Sequence, residues 1–100
     1  METKEFVTSF IDTLRNGEEE RIYKYLTSRT IIYDVKNDKN MTLDEFVTFL
    51  KDNLVKEDIK IKRTFESKVC FKVELEAPKF NYDAFLFETK DRRFSRIELM

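Results

Sequence analysis

The hydrophobic period of the chain changes near its middle. From Glu5 to Asn16 the apolar residues Phe6, Val7, Phe10, Ile11 and Leu14 recur at helical spacing and mark one buried stripe. Gly17 follows, the residue best able to leave a helix with a positive φ. Glu18, Glu19 and Glu20 then put negative charge in the first turn of a second, shorter helix, where it meets the positive end of the helix dipole. Ile22, Tyr23, Tyr25 and Leu26 supply the buried side of that helix. Thr30 to Asn40, TIIYDVKNDKN, reads as a β-branched and aromatic strand running into a polar turn, with Asp34 at the strand's end. Thr42-Leu43-Asp44-Glu45 has the capping-box form and precedes Phe46, Val47, Phe49, Leu50 and Leu54, which predicts a third helix.

Beyond Ile59 the period drops to two. Ile59 to Phe65 alternates weakly. Val69, Phe71, Val73, Leu75 and Ala77 alternate strictly with Cys70, Lys72, Glu74 and Glu76, as a strand with one wet face requires. Ser67-Lys68 marks the first hairpin turn and Pro78-Lys79 the next. Phe80 to Glu88 interleaves Phe80, Tyr82, Ala84 and Leu86 with Phe85 and Phe87, so this strand is predicted to need cover on both faces. Lys90 to Arg93 forms the last turn, and Phe94 to Met100 closes the sheet. The predicted order is α-α-β-α-β-β-β-β in a single domain spanning 1–100, with neither an internal repeat nor a linker.

Composition narrows the chemistry. A chain of 100 residues, 41% hydrophobic with ten Phe, folds around a modest core and buries roughly 60 to 65% of its unfolded surface. Nineteen basic and twenty acidic side chains give a net charge of -1, so the overall balance favours neither nucleic acid nor a membrane surface. The absence of His removes Ser-His and Cys-His nucleophiles, His-ligated zinc and a His switch. One Cys makes neither an internal disulfide nor a thiolate cage, and one Gly excludes glycine-rich phosphate loops. Glu18, Glu19 and Glu20 begin a helix rather than hold a metal, since neighbours on a helix point in different directions. The Met1 end carries Glu2, Lys4 and Glu5 rather than an apolar run, and no stretch approaches the roughly 18 apolar residues of a membrane span. The expectation is a soluble cytoplasmic protein without membrane contact, metal or cofactor.

A helix ending Leu14-Arg15-Asn16-Gly17-Glu18, an acid-started helix with Tyr23-Lys24-Tyr25-Leu26, a strand Ile31-Ile32-Tyr33-Asp34, a capped helix, and a meander ending Arg93-Phe94-Ser95-Arg96-Ile97-Glu98-Leu99 together resemble the nuclear transport factor two-like superfamily, including SnoaL-like and ketosteroid isomerase-like proteins. The resemblance covers nearly the whole chain. It implies a cystatin-like α+β cone in which a strongly curved, mostly antiparallel sheet wraps the three N-terminal helices, with a hollow that holds a ligand, an active site or nothing. In the isomerase-like branch the general base is an Asp at the end of the first strand, a role that falls on Asp34. A second, protonated Asp in an Asp-x-Phe-x-Phe strand serves as oxyanion donor, and Asp83-Ala84-Phe85-Leu86-Phe87 has that form. The third member is a Tyr on the first helix, where this chain has Phe10, which cannot donate a hydrogen bond. Losing one of two such donors lowers a rate on the order of 100-fold or more.

Each candidate has a plainer reading. Asp34 before Lys36-Asn37-Asp38 can accept a backbone N–H in the turn, and Asp83 can sit at the sheet edge beside a cation. Phe10, Leu14, Phe46, Phe71, Phe85 and Phe87 line a ligand pocket or simply fill the core. Lys60, Lys62, Arg63, Lys90, Arg92, Arg93 and Arg96 either gather to bind a phosphate or an acidic partner, or form a solvated edge. The favoured reading is a non-catalytic binding module with a cone-shaped apolar pocket for a small apolar ligand or a protein partner, forming a homodimer through the outer sheet face. The alternative is a cofactor-independent SnoaL-like isomerase, cyclase or hydratase using Asp34 and Asp83.

Overall fold

The computed structural model describes residues 3–100. Helix α1 (Thr3–Asn16) buries Val7, Phe10, Ile11, Thr13 and Leu14 along one stripe. Gly17 ends it at a φ of 73°. There the Gly17 N–H donates to Leu14 O and the Glu18 N–H reaches back to Thr13 O, both at 3.1 Å. This pairing is the Schellman arrangement, and it satisfies carbonyls that the helix end leaves open. Helix α2 (Glu19–Ile22) passes into a 3-10 turn, Tyr23–Tyr25. Strands β1 (Ile31–Asp34) and β2 (Lys39–Met41) form a short hairpin, followed by α3 (Leu43–Asn53). Thr42 and Glu45 close both halves of the α3 capping box. Strands β3 (Lys60–Glu66), β4 (Phe71–Glu76), β5 (Ala84–Lys90) and β6 (Arg93–Leu99) complete the chain.

The six strands form one curved sheet in the order β2-β1-β6-β5-β4-β3. Only β1 against β6 is parallel; the other neighbours are antiparallel. Irregular register between Ile61 and Arg63, and between Glu88 and Thr89, marks the bulges that bend such a sheet. The register sets two rows across the concave face. Ile32, Ile97, Phe87 and Phe71 form one, and Asp34, Leu99, Phe85 and Val73 form the other. All eight side chains are buried, and Asp34 is the single polar group among them.

Helix α1 lies in this concavity against β4 and β5. The Phe10 ring meets Phe94, Tyr25 and Phe87 edge-on, with centroids 5.1, 5.2 and 5.8 Å away. From α3, Phe46 meets Phe85 at 6.4 Å. Arg15 fixes the far end of α1 by donating from Nη2 to Ile59 O at 2.6 Å. Buried Thr13 donates to Ser9 O, and its hydroxyl and that of Ser9 both lie within hydrogen-bond distance of the Tyr25 hydroxyl.

The architecture is the α+β cone expected, with local departures. Strand β2 was not foreseen, because Lys39-Asn40-Met41 has no alternation to detect. The predicted strand from Phe80 begins only at Ala84; Phe80 and Tyr82 instead fold onto Phe49 of α3, at 6.3 and 5.5 Å. The two-sided apolar strand is therefore corrected to a strand with Leu86 half-buried on its outer side. Strand β4 starts at Phe71, and Val69, 71% exposed, lies outside it rather than in the interior. Strand β3 is a free edge whose seven residues are all exposed. Among the described residues no helix is long and apolar enough to cross a membrane.

Candidate functional site

The parity of β1 turns Ile32 and Asp34 toward the concave face, whereas Ile31 and Val35 are exposed. Asp34 is the last residue of β1 and opens the turn to β2, so its carboxylate faces both the cone mouth and the turn backbone. Oδ1 accepts the Asn37 backbone N–H at 3.1 Å, and Oδ2 accepts the Asn37 side-chain amide at 2.8 Å. The Tyr82 hydroxyl donates to Oδ2 at 2.6 Å. Tyr82 arrives from the irregular segment before β5. Its ring is held edge-on by Phe49, and Lys36 Nζ lies 5.4 Å from the ring centroid while donating to Asn81 O at 2.6 Å. The segment 80–83 thus closes the mouth between α3 and the β1–β2 turn.

Two opposing effects act on this acid. Burial disfavours the Asp34 carboxylate, but donation from the Asn37 amide, the Tyr82 hydroxyl and the Asn37 backbone N–H, with a lesser contribution from the nearby Lys36 N–H, outweighs it and lowers the pKa below the ordinary carboxylate value. Burial, together with the hydrogen bond to Asp34 and its charge, pushes the Tyr82 phenol up. The pair therefore rests as a carboxylate accepting from a phenol. Such a group is a fixed acceptor; to take a proton from a bound molecule it must first give up donors.

The other expected site residues divide into two sets. Phe10, Leu14, Phe46, Phe71, Phe85 and Phe87 are all buried, at 3% exposure or less, and meet in the concavity as one continuous core. Asp83 is exposed; its backbone N–H donates to Met100 O, and among the described residues its carboxylate forms no hydrogen bond with Asp34. Tyr82, which does bond Asp34, was not foreseen. No local signal marks it, since its hydroxyl meets Asp34 from 48 residues away.

No family profile matches the chain, and no curated protein matches it. Solved structures do. An NTF2-like protein of unknown function from Cytophaga hutchinsonii superposes with a TM-score of 0.77 at 11% identity, covering 100% of this chain and 89% of that one. A protein with a ketosteroid isomerase-like fold from Catenulispora acidiphila, in complex with trimethylamine, gives 0.70 at 11% identity over 99% and 86% of the two chains. A de novo designed protein with a curved β-sheet gives 0.71 at 16% identity over 99% and 86%. The chain has the nuclear transport factor two-like fold.

Proposed function

We propose that the chain is a non-catalytic binding module whose contacts lie on the outside of the cone, with a protein partner and in the first instance a second copy of itself. The observation that carries this reading is the filled concavity: Phe10, Phe46, Phe85, Phe87 and Phe94 occupy it at 1% exposure or less. Among the described residues the one buried carboxylate, that of Asp34, is already engaged by Asn37 and Tyr82. A small apolar ligand inside the cone requires some of these rings to swing away; a small molecule, trimethylamine, is bound by the Catenulispora protein of the same fold.

The outer face supports docking. Leu86 is half-buried between Lys72 and Glu98 in the register, while Arg63–Glu74 and Arg96–Glu88 pairs lace the same face. Phe65, 46% exposed, lies under Arg63 and Lys72. Alternating charges around an apolar centre are self-complementary under a two-fold axis. Light scattering at tens of micromolar is expected to give twice the monomer mass, and Leu86→Glu to return the folded monomer. A monomer mass for the unaltered chain overturns the reading.

The isomerase, cyclase or hydratase reading, with Asp34 and Asp83, draws on one observation: a phenol, that of Tyr82, stands at the mouth where Phe10 supplies none, and it becomes free to hold an oxyanion only when it releases Asp34. Turnover of a ketosteroid or polyketide-type substrate that Asp34→Asn abolishes would establish it and displace the binding module.

A further inference from the structure

The seven basic positions marked in the sequence do not gather at one place. Arg63 pairs with Glu74, Lys60 with Asp58, and Arg96 with Glu88 and Glu98. Lys90, Arg92 and Arg93 stand apart at the β5–β6 turn, where Arg29 joins them from the loop before β1. Among the described residues none of these four is in an ion pair. Arg29, Lys90 and Arg93, with the hydroxyl-bearing Thr27 and Ser95, line an open concavity of about 530 Å³ whose one acid, among the described residues, is Asp91. Both walls are set in place before any ligand arrives. Thr30 Oγ1 donates to Phe94 O at 2.7 Å, its N–H donates to Thr27 O, and the Arg29 N–H donates to Thr27 Oγ1. On the other wall Lys90 pairs with Arg93 across a two-residue turn in which Asp91 and Arg92 hold φ of 53° and 61°. Asp suits the first of these positions, but Gly is the usual occupant of the second, so at Arg92 the turn carries a cation where backbone ease would favour glycine.

We propose that this concavity binds the phosphate monoester of a small organic molecule, independently of the reading of the outer sheet face. Guanidinium forks and an ammonium approaching from two elements match a tetrahedral group with several acceptor oxygens, and the hydroxyls of Thr27 and Ser95 extend the donor set. The volume exceeds what a bare phosphate needs and leaves room for an organic portion. The patch is one pocket on a chain of net charge -1, not the basic stripe that tracks a nucleic-acid backbone. The test is amide NMR of the whole labelled chain at ionic strength below about 50 mM, where screening is weak, titrated separately with phenyl phosphate, inorganic phosphate and benzoate. Saturable shifts confined to 27–30 and 90–95 are expected, with benzoate at least about ten-fold weaker, since two negative charges engage the cations against one. Arg29→Gln and Arg93→Gln should each weaken phenyl phosphate about ten-fold. Lys90→Gln, on the same wall, should weaken it as well, and Lys62→Gln on β3 should not. Shifts spread equally over β3, equal response to benzoate, or unaltered affinity in the two arginine variants would overturn the proposal.

Discussion

Replacing Asp34 by Ala isolates the largest polar commitment in the concave face. The side chain is 2% exposed and accepts three hydrogen bonds at 2.6, 2.8 and 3.1 Å. Each bond to a charged acceptor contributes about 1.5 to 3 kcal/mol, against which stands the burial of the charge. Removing the acceptor leaves the Asn37 N–H and Tyr82 hydroxyl without their partner, so the expected loss is about 2 to 4 kcal/mol at pH 7. With a urea slope of about 1 to 1.5 kcal/mol per molar for a chain this size, the midpoint falls by about 2 M. Asp34→Asn, which keeps one carbonyl oxygen for the turn N–H, should lose about half as much. The pH dependence follows from the sign of the shift. The folded pKa lies below the ordinary 3.8, so the stabilisation is complete above that value and is lost as pH falls through the lower, folded value. The gap between wild type and Asp34→Asn should therefore hold constant from pH 7 down to about 4 and close only below. Urea melts across that range, with carboxylate NMR of Asp34, measure both quantities. A variant within about 0.5 kcal/mol of wild type, an ordinary surface result, or a titration midpoint above the ordinary value, refutes the account and reopens Asp34 as a base.

Two further outcomes follow from the same packing. Tyr82→Phe should lose about 1 to 2 kcal/mol at neutral pH. Because burial, then the Asp34 bond and charge, raise the Tyr82 pKa above 10.0, wild-type stability should fall as pH rises beyond that value, more steeply than in the Phe variant; equal alkaline limbs by circular dichroism would contradict this. Phe10→Tyr, which restores the aromatic type expected of a catalytic clamp, sets a hydroxyl at a position 0% exposed among Tyr25, Phe87 and Phe94. It should destabilise by about 1 to 3 kcal/mol, and unchanged thermal melting would show that the cone has room there after all.

How much of the fold could be read from the chain depended on how each segment is covered. Residues 71–75 alternate because one side is buried against α1 and the other is wet, and the strand was legible for that reason. Strand β3 alternates weakly because it is an exposed edge with a bulge, where nothing selects the parity of its side chains. Segment 80–83 misled because its aromatic density reads as strand, whereas Phe80 and Tyr82 are covered by Phe49, a neighbour supplied by the fold rather than by local pattern. Gly17, the single glycine, was legible as a helix stop because a helix end commonly needs a positive φ, which glycine takes without a Cβ penalty.

The site was half legible for a related reason. Asp34 stood out by position, at a strand end before polar turn residues, and both of its readings depended on which donors would surround it. Those donors come from two places. Asn37 is three residues away and was within reach of a local argument, since a turn N–H and an Asx carboxylate find each other without help from the rest of the chain. Tyr82 is forty-eight residues away, and its approach depends on α3 holding the 80–83 segment over the mouth. The Asp-x-Phe-x-Phe pattern drew attention to Asp83, the neighbour that is exposed, while the residue that enters the site carries no motif. A carboxylate gains the character of a base or of a fixed acceptor from partners that only the tertiary fold assembles. In this cone those partners are donors, and they hold the charge that a catalytic base would have to release.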